Sequence, residues 1–165
     1  MENYEKITHE LEPIYNENSK ILILGTLPSV KSREQQFFYA HPQNRFWKVL
    51  ASLTENYVPV TIDEKKDFLL RNNIAVWDVI ESCQIIGSSD SSIKDVVPTD
   101  ITRILETANI TKIFANGAKA MKLYDKYQYK ELGIKIEGLP STSPANAAYS
   151  LEKLVEKWSV IKKYI

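Results

Sequence analysis

The chain of 165 residues has a single cysteine, Cys83, and therefore cannot form an internal disulfide. A zinc or iron–sulfur site needs several clustered thiolate or imidazole ligands, which one cysteine does not supply. Asp90 and Asp95 lie in a serine-rich stretch without a matching histidine cluster, so a metal site is not expected there either. The sequence predicts a protein without a metal, and the shortage of cysteine favours the cytoplasm.

Glycine is scarce as well, and none of the five glycines forms a GxGxxG or GxxxxGK phosphate loop, so no nucleotide cofactor is expected. No apolar run approaches the roughly 20 residues of a membrane span, and the polar, acidic start does not resemble a signal peptide. The 21 Lys and Arg residues balance 21 Asp and Glu residues, so bulk charge neither supports nor excludes DNA as a partner. We expect one soluble domain over residues 1–165.

Short apolar runs alternate with helical patterns along the chain. Four runs are typical of buried strands followed by loops: residues 21–24, 74–77, 112–115 and 134–137. Five segments carry apolar residues at helical spacing: residues 45–53, 64–72, 100–108, 118–126 and 150–165. This alternation predicts an α/β protein with a central four-stranded parallel sheet between two helical layers. Residues 82–98 are predicted to form one long irregular connection, and such connections are often functional.

Polar or tight-turn residues follow all four predicted strands. Ligands bind at the carboxyl ends of the strands in such sheets, so we expect a site on this rim. Asp78 follows the second strand and could activate water or cap the next turn. Leu-Pro-Ser turns follow the first and fourth strands, at residues 27–29 and 139–141. Each turn alone could be ordinary turn chemistry, but the occurrence of both after strands favours anion binding.

Residues 39–47 crowd aromatic rings, amides and one imidazole into a loop before a helix. Tyr39 is an aromatic residue in a polar loop, where a flat base could stack on it or where it could border the core. His41 could contact phosphate, act as an acid or make a structural hydrogen bond. Asn44 does not titrate near neutrality, but its carbonyl dipole could hold a water and support a cationic, sugar-like transition state.

Four sequence motifs, taken together, form a pattern that is specific to one family. They are Gly25-Thr26-Leu27-Pro28-Ser29, Phe38-Tyr39-Ala40-His41-Pro42-Gln43-Asn44-Arg45-Phe46-Trp47, the run from Trp77 to Cys83 with Gly87 to Ile93, and Leu139-Pro140-Ser141-Thr142-Ser143-Pro144-Ala145-Asn146. This set resembles the uracil-DNA glycosylase superfamily from about residue 21 to the C-terminus. It is similar to the mismatch-specific branch and more closely resembles the hypoxanthine-DNA (deoxyinosine) glycosylases.

The resemblance implies a monofunctional enzyme that flips a deaminated base, most closely hypoxanthine, out of double-stranded DNA and hydrolyses its N-glycosidic bond without a cofactor. It places catalysis on Asn44, base stacking on Tyr39 and a reader of the base edge at Asp78. Backbone amides of the first turn would contact the base, at Gly25, Thr26 and Leu27. The positions implied to bind DNA are Pro28, Ser29, His41, Ser141, Thr142 and Ser143. We expect the protein to act as a monomer.

Two leucines stand where the superfamily usually places catalytic polar residues. Leu27 replaces an Asp or Asn that handles the attacking water, and Leu139 replaces a His or Asn that polarises the leaving base. The loop at residues 141–145 also lacks a large apolar or arginine wedge. Three other functions therefore remain open: excision of uracil from mismatches, a non-catalytic lesion-binding module, and hydrolysis of a small nucleoside or phosphate ester.

Overall fold

A computed structural model of the chain describes residues 3–87 and 89–165. Within these ranges the strands are β1 (Glu5–Thr8), β2 (Ile21–Gly25), β3 (Ile74–Asp78), β4 (Ile80–Ile85), β5 (Lys94–Pro98), β6 (Lys112–Asn116) and β7 (Ile136–Leu139). The α-helices are α1 (Val30–Gln35), α2 (Phe46–Thr54), α3 (Ile62–Arg71), α4 (Thr102–Thr107), α5 (Ala118–Tyr127), α6 (Tyr129–Leu132) and α7 (Leu151–Trp158). Short 3-10 helices are Asp90–Ser92 and Ser159–Lys163. Ser88, part of one string quoted above, lies outside the described residues.

A four-stranded parallel sheet with the order β3-β2-β6-β7 forms the centre of the fold. Strands β2 and β3 are buried along their whole length, which explains their nearly uninterrupted apolar sequences. The strand order reverses between β2 and β6, and parallel sheets bind ligands outside the carboxyl ends of the strands at such a point. The predicted α/β class and the four-stranded parallel sheet are confirmed.

Helices pack against this sheet and against each other: α3 contacts β3, α5 contacts β6 and β7, and α2 contacts α7. Trp158, at the end of α7, is fully buried, packs edge-on against Phe46, and donates its indole N–H to the Pro140 carbonyl oxygen at 2.9 Å. The C-terminal helix thereby joins the start of α2 to the turn after β7. In the described ranges, no helix has both the length and the apolar character needed to cross a membrane.

A second, antiparallel sheet corrects the prediction that residues 82–98 form one irregular connection. Strands β4 and β5 occupy much of that stretch, and β1 pairs with the other edge of β4. The β4–β5 pairing shifts register on both sides of Ser82, which interrupts the alternation of inward and outward side chains. Strand β1 buries only Ile7. Strands β1 and β4 therefore lack the period-two pattern by which half-buried strands are predicted.

The fourth parallel strand begins at Ile136, two residues later than predicted. Helix α6 precedes it, ends at Leu132 and is capped by Gly133, which has a left-handed backbone conformation. The next carbonyl, that of Ile134, accepts a hydrogen bond from the Tyr124 hydroxyl of α5. Residues 134 and 135 therefore return the chain from the helix to the sheet, although Ile134 and Lys135 continue the alternation of apolar and charged residues at the start of the strand.

Candidate active site

A cavity of about 380 Å³ lies at the carboxyl ends of the parallel strands, where the strand order reverses. Eleven of the twelve predicted site residues line it: Gly25, Thr26, Leu27, Pro28, Ser29, Tyr39, Asn44, Asp78, Ser141, Thr142 and Ser143. His41 does not line it. The connection between β4 and β5 also contributes to the wall, through Gly87 and Asp90. Sequence segments far apart in the chain thus meet at one cavity, while the individual roles of their residues stay predictions.

Tyr39 has a left-handed backbone conformation, with φ of 50°, which is uncommon for a residue other than glycine. Its ring stacks on Phe46 with centroids 3.9 Å apart, so a base could stack only on the opposite face. Its hydroxyl is buried beside Gly25 and has no hydrogen-bond partner among the described residues. Burial, and secondarily the Asp78 carboxylate, raises the pKa of Tyr39 above its usual range. Tyr39 is therefore a neutral phenol, and the residue lines the cavity.

Asp78, at the end of β3, is held by a histidine that the sequence prediction missed. Its Oδ2 accepts a hydrogen bond from His9 Nε2 at 2.7 Å, and the side chains are only 5% and 2% exposed, respectively. His9 Nδ1 accepts the backbone N–H of Leu11 at 3.1 Å. Because an amide N–H can only donate, Nδ1 carries no proton and the imidazole proton is on Nε2. Pairing of β1 with β4 brings His9 to this position, 69 residues from its partner.

Asn44 belongs to a polar network that fixes its orientation. Its Oδ1 accepts hydrogen bonds from the backbone N–H of Phe46 at 2.9 Å and from the Thr142 hydroxyl at 2.8 Å. The same hydroxyl accepts a hydrogen bond from the Asn116 amide, whose oxygen in turn accepts the N–H of Thr142, both at 3.0 Å. Because both lone pairs of Asn44 Oδ1 are occupied, the group that Asn44 can offer to the cavity is its NH₂.

Hydroxyl groups of the two Leu-Pro-Ser turns make local hydrogen bonds. Ser29 Oγ accepts the N–H of Ser32 at 3.1 Å and caps α1. Ser141 Oγ accepts the N–H of Ser143 at 3.1 Å. His41, outside the cavity, behaves similarly: its Nδ1 accepts the N–H two residues later at 3.0 Å. These bonds match the turn chemistry that the sequence left open, and the DNA contacts of these residues stay predictions.

Arg45 fastens the loop after β7 to the start of α2, a role that sequence reasoning also missed. Its guanidinium donates to three backbone carbonyls of the loop: those of Ser143 at 2.9 Å, Asn146 at 3.1 Å and Tyr149. The backbone N–H of Arg45 donates to the Thr142 carbonyl oxygen at 3.1 Å. The five N–H donors of a guanidinium suit such a cluster of acceptors. Arg45 thus holds residues 142–149 against Asn44.

We predict that Arg45→Lys lowers the free energy of unfolding by about 2 kcal/mol, because one ammonium group cannot reach all three carbonyls. The loop at residues 143–149 should also become more sensitive to limited proteolysis. Urea unfolding measures the first effect and mass spectrometry of the fragments the second. Arg71→Lys is the matched control, since Arg71 is an exposed residue of α3 whose one ion pair among the described residues is with Asp67. Equal stability of the two variants would contradict this role of Arg45.

Positive charge also borders the cavity, at Arg33 and Lys119. Burial raises the pKa of the nearby Asp90 carboxyl, while Lys119 opposes this shift. Cationic side chains beside the cavity suit a ligand with phosphate groups. Among the described residues, no three His, Cys, Asp or Glu side chains are grouped so that they could hold a metal ion.

Comparison with known proteins connects this arrangement to a family. The family model of the uracil DNA glycosylase superfamily matches residues 12–163. A protein of Methanosarcina acetivorans named hypoxanthine DNA glycosylase is 33% identical over 153 residues, which cover 92% of this chain and 95% of that protein. A protein of the same name from Methanosarcina barkeri is 32% identical over 149 residues, covering 89% and 92%. A solution NMR structure from Methanosarcina acetivorans, described as a candidate uracil DNA glycosylase, gives a TM-score of 0.78 at 29% identity and covers 94% of this chain and 98% of that one.

Proposed function

Because the chain belongs to the uracil DNA glycosylase superfamily, we propose that it is a monofunctional DNA glycosylase that removes hypoxanthine from double-stranded DNA. The two relatives named hypoxanthine DNA glycosylase support this substrate, since each resembles the chain over about nine tenths of its length. The observation that carries the proposal is the cavity, which brings Tyr39, Asn44 and Asp78 together at the switch in strand order.

In the proposed reaction, the lesion nucleotide leaves the base stack and its base enters the cavity against the free face of Tyr39. The bond between C1′ of the sugar and the base nitrogen breaks, and its electron pair leaves with the base. A water molecule then adds to C1′ and loses one proton, the departing base takes up one proton, and the products are therefore a neutral free base and an abasic site. The NH₂ group of Asn44 is available to bind the departing base or to orient this water.

The DNA partner, the oligomeric state and the cellular compartment are proposed as they were expected from the sequence. We propose that one domain of residues 1–165 acts as a monomer in the cytoplasm on duplex DNA that carries a deaminated base. Backbone groups of Gly25, Thr26 and Leu27 would contact the base. The proposed DNA contacts are those of Pro28, Ser29, His41, Ser141, Thr142 and Ser143. No metal or organic cofactor takes part in the proposed reaction.

A lesion panel tests the substrate. Purified full-length protein is incubated with duplexes that contain one hypoxanthine, xanthine or uracil, and abasic sites are revealed by alkaline cleavage. We expect fastest release of hypoxanthine. Preferential release of uracil would instead support the name given to the NMR structure. Tight binding of the hypoxanthine duplex without base release would support a lesion-binding module, an alternative favoured by the apolar side chains of Leu27 and Leu139.

A further inference from the structure

His9 lies outside every motif that carries the family resemblance, yet its ring is fixed on all sides. Its imidazole packs near Phe38 and Trp77, with ring centroids 6.1 and 6.3 Å away. Both ring nitrogens are engaged, Nδ1 by the N–H of Leu11 and Nε2 by Asp78 Oδ2. A buried polar group satisfied in this way fixes the orientation of its partner. The hydrogen bond from His9 therefore holds the Asp78 carboxylate in a single orientation.

This orientation leaves the second oxygen, Asp78 Oδ1, beside Gly25 at the cavity. No hydrogen bond within residues 3–87 and 89–165 occupies Oδ1. The Tyr39 hydroxyl, also without a partner in the described chain, lies against the same glycine. An acceptor and a potential donor therefore both lie beside Gly25, on two residues that line the cavity.

We propose that His9 is a positioning residue that holds Asp78 as an acceptor for the ring N–H of a flipped lactam base, and thereby sets the preference for deaminated bases. This inference rests on the proposed glycosylase function. Deamination turns a ring nitrogen that accepts a hydrogen bond into an N–H that donates, and turns the adjacent amino group into a carbonyl. An ionised carboxylate can only accept, so it binds the deaminated edge and repels the lone pair of the parent base.

The Tyr39 hydroxyl can also bind the base, but it does not by itself distinguish a deaminated base from its parent. It can donate to the carbonyl oxygen of a lactam, but it can also accept from an amino group. Discrimination therefore depends on Asp78 and on the histidine that prevents its rotation. Without the N–H of His9, the carboxylate would be free to turn, and Oδ1 would no longer be fixed opposite the ring nitrogen of the base.

The test compares hypoxanthine with unsubstituted purine, whose ring nitrogen lacks the N–H. Single-turnover release of each base from otherwise identical duplexes is measured for wild type, His9→Leu and His9→Gln. We expect His9→Leu to slow hypoxanthine release by about 30-fold, as for loss of a hydrogen bond to a charged group, and purine release by less than about threefold. His9→Gln keeps an N–H near the position of Nε2, so it should recover hypoxanthine release to within about fivefold of wild type.

A double variant shows whether His9 acts through Asp78. In an Asp78→Asn background, His9→Leu should slow hypoxanthine release by less than about twofold. Circular dichroism melts report whether each variant is folded. If His9→Leu does not fold, the test rests on His9→Gln and on the ratio of its release rates for purine and hypoxanthine. Equal losses for both bases, or the same loss with and without Asp78→Asn, would overturn the inference.

Binding separates this inference from the proposed function. Fluorescence anisotropy compares the affinity for a hypoxanthine duplex with the affinity for a purine duplex. If wild type releases no hypoxanthine but binds its duplex preferentially, and His9→Leu loses that preference, the proposed function fails and the role of His9 stands. If wild type binds both duplexes equally, the role of His9 fails, even if hypoxanthine is released.

Discussion

Replacing Asn44 by alanine is expected to slow single-turnover release of hypoxanthine by about 10³-fold, the loss typical of removing one preorganised hydrogen-bond donor. Asn44 lines the cavity, and its NH₂ is kept available because its oxygen already binds Phe46 N–H and the Thr142 hydroxyl. Neither Leu27 nor Leu139 can replace this function. Release measured under excess enzyme isolates the step after binding, and a loss of less than tenfold would contradict a catalytic role.

Asn44→Asp separates the two ways in which this residue could act. Aspartate keeps an oxygen that accepts from Phe46 and Thr142, but it has no NH₂. If the donor matters, Asn44→Asp should be almost as slow as Asn44→Ala. If instead negative potential near the cationic sugar matters, as expected from the sequence, the carboxylate should retain or increase the rate. The order of the three rates therefore assigns the chemical role.

Thr61→Ala controls for stability. Asn44 Oδ1 binds the first N–H of α2, so its loss should lower the free energy of unfolding by about 1 kcal/mol. Thr61 Oγ1 caps α3 in the same way, by accepting the N–H of Glu64 at 3.1 Å, but it does not line the cavity. Thr61→Ala should therefore be destabilised to a similar extent while releasing hypoxanthine at the wild-type rate. A slow Thr61→Ala would assign the Asn44→Ala defect to folding.

The centre of the parallel sheet could be predicted because strands β2 and β3 are buried along their whole length, so burial favours apolar residues there. The run from Ile21 to Leu24 is apolar at every position and fully buried. Strand β1 could not be predicted, because it lies at the edge of its sheet and buries one residue of four. The position of β1 is determined by its pairing with β4, whose residues lie 74 to 80 positions further along the chain, from Thr8↔Ser82 to Glu5↔Ile85, and that pairing leaves no local pattern.

The residues of the candidate site also divide into those that the sequence could reveal and those that it could not. Tyr39, Asn44 and Asp78 could be proposed because they lie in recognisable strings or directly at the ends of buried strands. His9 could not, because its contact with Asp78 requires β1 to be in place first. Arg45 lies inside a recognised string, but its partners are backbone carbonyls about 100 residues away, which no side-chain pattern reveals. The one available signal was its position next to Asn44, before a helix that starts at the site.

Gly25→Ala is expected to slow hypoxanthine release by about 10²-fold, the loss typical of a displaced substrate, because the new Cβ would overlap the oxygen proposed to read the base. A Cβ at Gly25 would collide with Asp78 Oδ1 and lie 3.0 Å from the Tyr39 hydroxyl oxygen. Asp78 cannot turn aside without losing its hydrogen bond to His9. The backbone itself accepts alanine, since Gly25 does not have a positive φ. Lesion binding should weaken, while binding of undamaged duplex stays unchanged.

Gly138→Ala is the matched control, because it makes the same change in β7, another strand of the same parallel sheet. Its Cβ would lie 2.8 Å from Met121 Sδ, the far end of a flexible side chain, and away from the cavity. Thioether side chains adjust at low cost, so this variant should release hypoxanthine at the wild-type rate. If both glycine variants were equally impaired, strain in the sheet would explain the defect. If only Gly25→Ala were impaired, the space between Gly25, Asp78 and Tyr39 would be identified as the place where the base is read.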